Sequence, residues 1–233
     1  MSQPGLIREF GEIITTKAVP HNEAPAWQLR RRIVVVIVLI GGAALMRFAL
    51  GHDPGEPVFF WSMLGLAALW AGGALASGPL HLGVVRFRGR YERPVFTGTA
   101  IGLVLGGLSV LAVWAARGLP ALAEPTERLM DYVNHGSPRL MLVLVVLSAV
   151  AEEMFFRGAV YTAVVRYAPV VVSTLLFAAV SLVAGSWLLA LVAVVLGLVC
   201  GVERRATNGV LAPVLTHLVW GFIVILALPP MFS

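Results

Sequence analysis

Seven apolar runs follow one another along the chain: Ile33 to Leu50, Val58 to Ala76, Val95 to Ala116, Leu140 to Phe156, Pro169 to Ala184, Trp187 to Val202, and Gly209 to Leu228. A helix that crosses a bilayer needs roughly 20 mostly apolar residues, within a range of about 17–25. These runs are continuously apolar rather than alternating, and too long for barrel strands, so they predict helices. Only Gly185 and Ser186 separate the fifth run from the sixth, which predicts a tight helical hairpin. The fourth run closes on charge. The pattern as a whole predicts an all-α, polytopic transmembrane bundle of about seven spans.

Composition agrees with that pattern. Of 233 residues, 59% are hydrophobic and 12% charged, with a mean hydropathy of +0.90. A soluble domain is about 45–50% apolar and about 25% charged. A conventional soluble enzyme and a disordered chain are thereby excluded, and a single cysteine, Cys200, excludes a disulfide scaffold.

The net charge of +5 first suggests an acidic partner, but the arginine positions give it another meaning. With the N-terminus in the cytoplasm and sides alternating, thirteen of the 17 basic residues fall on the cytoplasmic side. Among them are Arg30, Arg31 and Arg32 just before the first span, and Arg157, Arg204 and Arg205 further on. Only Arg47, Arg117, Arg128 and Arg139 fall opposite. This is a positive-inside bias. The charge is expected to meet lipid headgroups, and no nucleic-acid partner is expected.

Residues 1–32 read as a cytoplasmic tail and 33–233 as the membrane domain. The tail has no small-residue cleavage pattern, so it is not expected to be a cleavable signal. Leu6, Ile7, Phe10, Ile13 and Ile14 share a helical face opposite Arg8, Glu9 and Glu12. The stretch reads either as a short helix on the cytoplasmic leaflet or as a solvated tail. Gly98, Gly102 and Gly106 in the third span, and Gly197 and Gly201 in the sixth, have the spacing that lets helices approach closely in lipid. Packing within the bundle is the expected use.

An ionisable side chain at depth in a bilayer costs a few kcal/mol even on the lenient insertion scale, and usually faces the protein interior for a function. Glu152-Glu153-Met154-Phe155-Phe156-Arg157-Gly158 closes the fourth span. Adjacent helical carboxylates project about 100° apart. Glu153 and Arg157, four apart, are placed to pair along the helix, leaving Glu152 for general-base work. His217 is the one histidine of five that falls inside a span. Counting about 1.5 Å per residue, His217 lies about 12 Å and Glu152 about 9 Å from the cytoplasmic end of their spans. The two are expected to line one water-filled pocket open to the cytoplasm, suited to water activation or to zinc.

These residues resemble the CPBP family, the CAAX prenyl proteases and bacteriocin-processing enzymes also called Abi. The resemblance covers residues 140–228, the expected protease core. Glu152, Glu153, Arg157 and Gly158 match the family's Glu-Glu-x-x-x-Arg motif, and the approach through Gly197, Gly201, Gly209 and Pro213 to His217 looks like the lead-in to its third. Two positions depart. The second motif's histidine is Ser181, four after Phe177, and the third motif's asparagine is Gly221, four after His217.

The resemblance implies an intramembrane endopeptidase, multi-pass in a bacterial-type plasma membrane, acting on a peptide or protein at the membrane. Glu152 would be the base, with Glu153 and Arg157 beside it, and His217 the oxyanion stabiliser. Serine is a poor base and metal ligand at neutral pH. Glu152, Glu153 and His217 supply at most three zinc ligands, so a zinc cofactor is weakly supported. Two other classes remain: an inactive relative serving as membrane scaffold or partner-binding protein, and a proton-coupled carrier. The carrier lacks the internal repeat common in such folds. The sequence names neither the substrate nor the oligomeric state.

Overall fold

The computed structural model describes residues 11, 15, 25–87 and 90–232. The amphipathic face expected over Leu6 to Ile14 lies outside the described residues. Among the described residues from Pro25 onward, eight α-helices of 15 residues or more form a bundle: α1 (Pro25–Ala49), α2 (Pro57–Ser77), α3 (Val95–Ala116), α4 (Pro120–Asn134), α5 (Pro138–Glu153), α6 (Pro169–Val183), α7 (Trp187–Thr207) and α8 (Leu211–Ala227). Five have the length and hydropathy to cross a bilayer: α1, α2, α3, α7, and α8 with its short 3-10 extension to Met231. The apolar α6 is shorter, at 15 residues. Each predicted run is helical, and the protein is an integral membrane protein.

Proline opens α2, α4, α5 and α6, where its missing N–H costs no helical hydrogen bond. The hairpin expected at Gly185 is present, with that glycine at φ +94° and Ser186 Oγ capping the Leu189 amide at 3.2 Å. A two-stranded antiparallel ribbon, β1 (Val85–Phe87) and β2 (Arg90–Glu92), joins α2 to α3. The residues before it bind the α7–α8 turn, with the Val210 and Leu211 amides donating to His81 O and Leu82 O. A Cβ at Gly209 would run into the backbone of Gly83 and Leu82, so this crossing needs glycine.

Helices α3 and α8 run parallel and in close contact. A Cβ at Gly98 would stand 2.6 Å from Ala212 O, at Gly102 2.8 Å from Thr216 O, and at Gly106 2.5 Å from Ile223 Cδ1. The glycine stripe therefore packs within the bundle, against the helix that carries His217. Gly102→Ala must push α3 off a backbone, and overpacking of this kind costs about 1–3 kcal/mol. The expected result is a lower melting temperature in detergent; an unchanged one would mean that the two helices separate freely.

Between the third and fourth runs the chain also contains the amphipathic helix α4, which buries Thr126 and Met130. One expectation needs correction. Arg31, Arg157 and Arg204, counted among headgroup-facing arginines, are buried inside the protein. Arg31 donates to Ser77 Oγ at 2.9 Å and to Pro79 O at 3.2 Å. The positive-inside rule reads height along the bilayer normal; it says nothing about which way round a helix a side chain points.

Candidate functional site

The Glu-Glu-x-x-x-Arg segment sits where α5 changes its winding. From Met154 to Val160 the backbone is a π-helix, a form that appears mostly as single turns and frequently at functional sites. Packing fixes it there. Phe155 and Phe156 are wholly buried, and their rings lie 4.7 and 5.3 Å from Trp70 of α2. Phe156 also stacks on Phe177 of α6 at 4.6 Å. Gly42 of α1 makes room for Trp70, since a Cβ there would enter the indole. Two phenylalanines driven into one aromatic cluster hold the neighbouring charges in a set orientation.

Glu153 and Arg157 are both fully buried. Arg157 Nη1 donates to Glu153 Oε1 at 3.0 Å, the i,i+4 pair expected from their spacing. The guanidinium lies over the Phe177 ring, 5.0 Å from its centre. Gly197 of α7 admits it: a Cβ there would stand 3.2 Å from Arg157 Nη2.

His217 reaches the same oxygen. Its Nδ1 is 3.0 Å from Glu153 Oε1, although 64 residues separate the two in sequence. An ionised carboxylate only accepts hydrogen bonds, so Nδ1 carries the proton and Nε2 is left for other chemistry. The indole of Trp220 packs beside the imidazole, with 5.7 Å between centres. The imidazole is held by Glu153, while Glu152 stands next to the pair. Glu152 is partly exposed and feels the charges of His217, Glu153 and Arg157. Its carboxylate makes no ion pair among the described residues.

Around this set, Glu153 Oε2, Arg157 Nε and Nη2, and Thr174 Oγ1 are buried without a protein partner. Buried polar atoms are ordinarily met by water, so the cluster has the chemistry of a hydrated interior. Zinc fits it poorly. Among the described residues no three His, Cys, Asp or Glu side chains form a metal-ligand set, and the Glu153 oxygen nearest His217 is already shared with Arg157.

The two departing positions are closed. Ser181 is buried and turns its hydroxyl back on its own helix, 3.5 Å from Phe177 O. Gly221 faces α5, and a Cβ there would stand 3.0 Å from Val145 Cγ1. Gly221→Asn is therefore expected to destabilise the protein, and Val145→Ala in the same chain to restore the loss. Equal melting of the single and double variants would show that the contact is slack.

Sequence reasoning passed over a buried charge layer beside the site. Glu203 and Arg204, at the end of α7, look like headgroup-facing residues, yet both are buried. Arg204 Nε donates to Arg157 O at 2.8 Å and Nη1 to Asn208 Oδ1 at 2.9 Å, tying α7 to the π turn. Thr216 Oγ1 lies 2.9 Å from both Gly98 O and Glu203 Oε1. Its single proton serves one of these two acceptors at a time. The signal was available: Glu203 is an acidic residue one turn inside an otherwise apolar helix, next to an arginine.

Comparison with known proteins bears on this segment. Residues 135–223 match the family model described as type II CAAX prenyl endopeptidase Rce1-like. The matched segment runs from just before α5 through most of α8 and contains the Glu-Glu-x-x-x-Arg segment and His217. No curated protein and no solved structure matches the chain.

Proposed function

With residues 135–223 matched to the Rce1-like family, we propose that this protein is an intramembrane endopeptidase of the CAAX-protease/Abi type. Glu152 takes a proton from water, and the resulting hydroxide attacks the carbonyl carbon of a peptide bond in a membrane-associated substrate. His217 donates from Nε2 to the oxygen that becomes negative. Glu152 then passes its proton to the leaving nitrogen as the C–N bond breaks. Water is consumed, and one carboxylate and one amine are released.

The contact between His217 Nδ1 and Glu153 Oε1, at 3.0 Å, carries the proposal. It joins the first and third motifs into one charge set and orients the imidazole through Nδ1, as a carboxylate does for a working imidazole. Charge balance assigns the roles. Glu152, Glu153, Arg157 and His217 sum to zero when both carboxylates are ionised and the imidazole is protonated. That state has an anionic base and a cationic oxyanion donor side by side. We place the protein in a bacterial-type plasma membrane with its N-terminus inside, residues 33–233 in the bilayer and 140–228 as the proteolytic core.

The test is cleavage in reconstituted vesicles, with farnesylated CAAX peptides and unprenylated membrane peptides as substrates. Internal cleavage by the wild-type protein, mapped by mass spectrometry, is the expected result. The turned-in hydroxyl of Ser181 and the packed face of Gly221 favour a second reading, an inactive relative acting as a scaffold. That reading expects no turnover from the wild type, and turnover only after Ser181→His and Gly221→Asn are combined with Val145→Ala.

A further inference from the structure

Helices α3 and α7 both face α8 but leave a cleft between themselves, and α4 touches both where α3 ends and α7 begins. The cleft encloses about 380 Å³. Leu105, Leu108, Leu191 and Val195 supply walls, and Trp220 lies at its inner end. Its two wall hydroxyls are already engaged. Ser109 Oγ accepts from Trp220 Nε1 at 3.0 Å, and Thr126 Oγ1 donates to Leu122 O at 2.7 Å. Little polar capacity remains for water or a polar ligand, and apolar cavities of this size hold apolar molecules.

The outer end is different. Arg117, immediately after α3, stands at the mouth with its guanidinium over the Trp114 ring, 5.3 Å from the centre. It is exposed and pairs with no carboxylate among the described residues. A tryptophan and an arginine at a span end mark the headgroup level. From Leu105 to Arg117 the helix rises about 18 Å, close to the half-thickness of a hydrocarbon core of about 30 Å. The cleft is thus one leaflet deep, apolar along its length and cationic at its mouth.

We infer that the cleft binds a single bilayer phospholipid, one acyl chain lying between α3 and α7 and the phosphate resting on Arg117. The site stands apart from the carboxylate cluster, on the far side of Trp220, whose other neighbour is His217. Its occupant is recognised by the pairing of one hydrocarbon chain with one anionic oxygen group.

Native mass spectrometry of the purified full chain tests this, with phosphatidylglycerol, a diacylglycerol of the same chains, and farnesol as probes. The wild type should retain one phosphatidylglycerol and bind it roughly tenfold more tightly than the diacylglycerol, the scale of one charge-assisted contact. Arg117→Gln should erase that preference. Ala112→Phe, which fills the cleft, should release the lipid while both variants melt with the wild type. Equal binding of diacylglycerol or farnesol would overturn the inference, as would wild-type retention of phosphatidylglycerol by both variants. Because the readout is binding, the lipid site can stand where peptide hydrolysis fails, and the reverse.

Discussion

Arg157→Met collapses the stability of the protein. Arg157 and Glu153 are both sealed from solvent, and the guanidinium is the cation that meets the Glu153 carboxylate along the helix. Methionine fills much of the stem volume against Phe177 but leaves the carboxylate with His217 alone. Breaking a buried pair by removing one partner costs about 3–5 kcal/mol, because the other charge stays behind uncompensated. A large fall in melting temperature in detergent is the expected observation. The double variant Glu153→Gln with Arg157→Met removes both charges and should recover most of the loss. If the single variant melts with the wild type, the pair does not hold the π turn in place.

Glu152→Gln has the opposite profile: it leaves the fold intact and stops the chemistry. Glu152 is partly exposed and makes no ion pair among the described residues, so its neutral isostere should melt with the wild type. Glutamine cannot take a proton from water, and general-base catalysis contributes about 10²–10⁴ in rate. The drop should appear in kcat, with KM for a membrane peptide little changed. His217→Ala removes the oxyanion donor, for which losses of about 10²–10³ are typical. It also frees Glu153, so it should lower both rate and stability. A Glu152→Gln variant that cleaves at the wild-type rate would move the base elsewhere in the cluster.

The architecture was legible because lipid leaves few options. A continuous apolar run of spanning length has to be a helix whose backbone satisfies itself, and the predicted runs recur as helices within a few residues. The convergence of the fourth and seventh runs was legible too, since Glu152 and His217 were each counted inward from the same face. Azimuth was not. Rise per residue gives depth, but which carboxylate turns toward α8 depends on packing, and that packing includes the π turn from Met154 to Val160. Nothing in a 3.6-residue period foretells it. Arg204 was misplaced for the same reason, as its height matched the headgroups while its direction did not. α4 escaped notice because it is amphipathic rather than uniformly apolar, and Pro125 within it reads as a breaker.

The central claim is that Glu152 activates a water that attacks the peptide directly. A single turnover of one vesicle-embedded peptide in H₂¹⁸O, acid-quenched and read by intact-protein and product mass, tests it. The account predicts a new peptide C-terminus carrying solvent ¹⁸O, with the enzyme at its unmodified mass throughout. A peptide fragment covalently attached to the protein, at Ser181 or Cys200 for instance, would contradict it, and so would wild-type protein that yields no product.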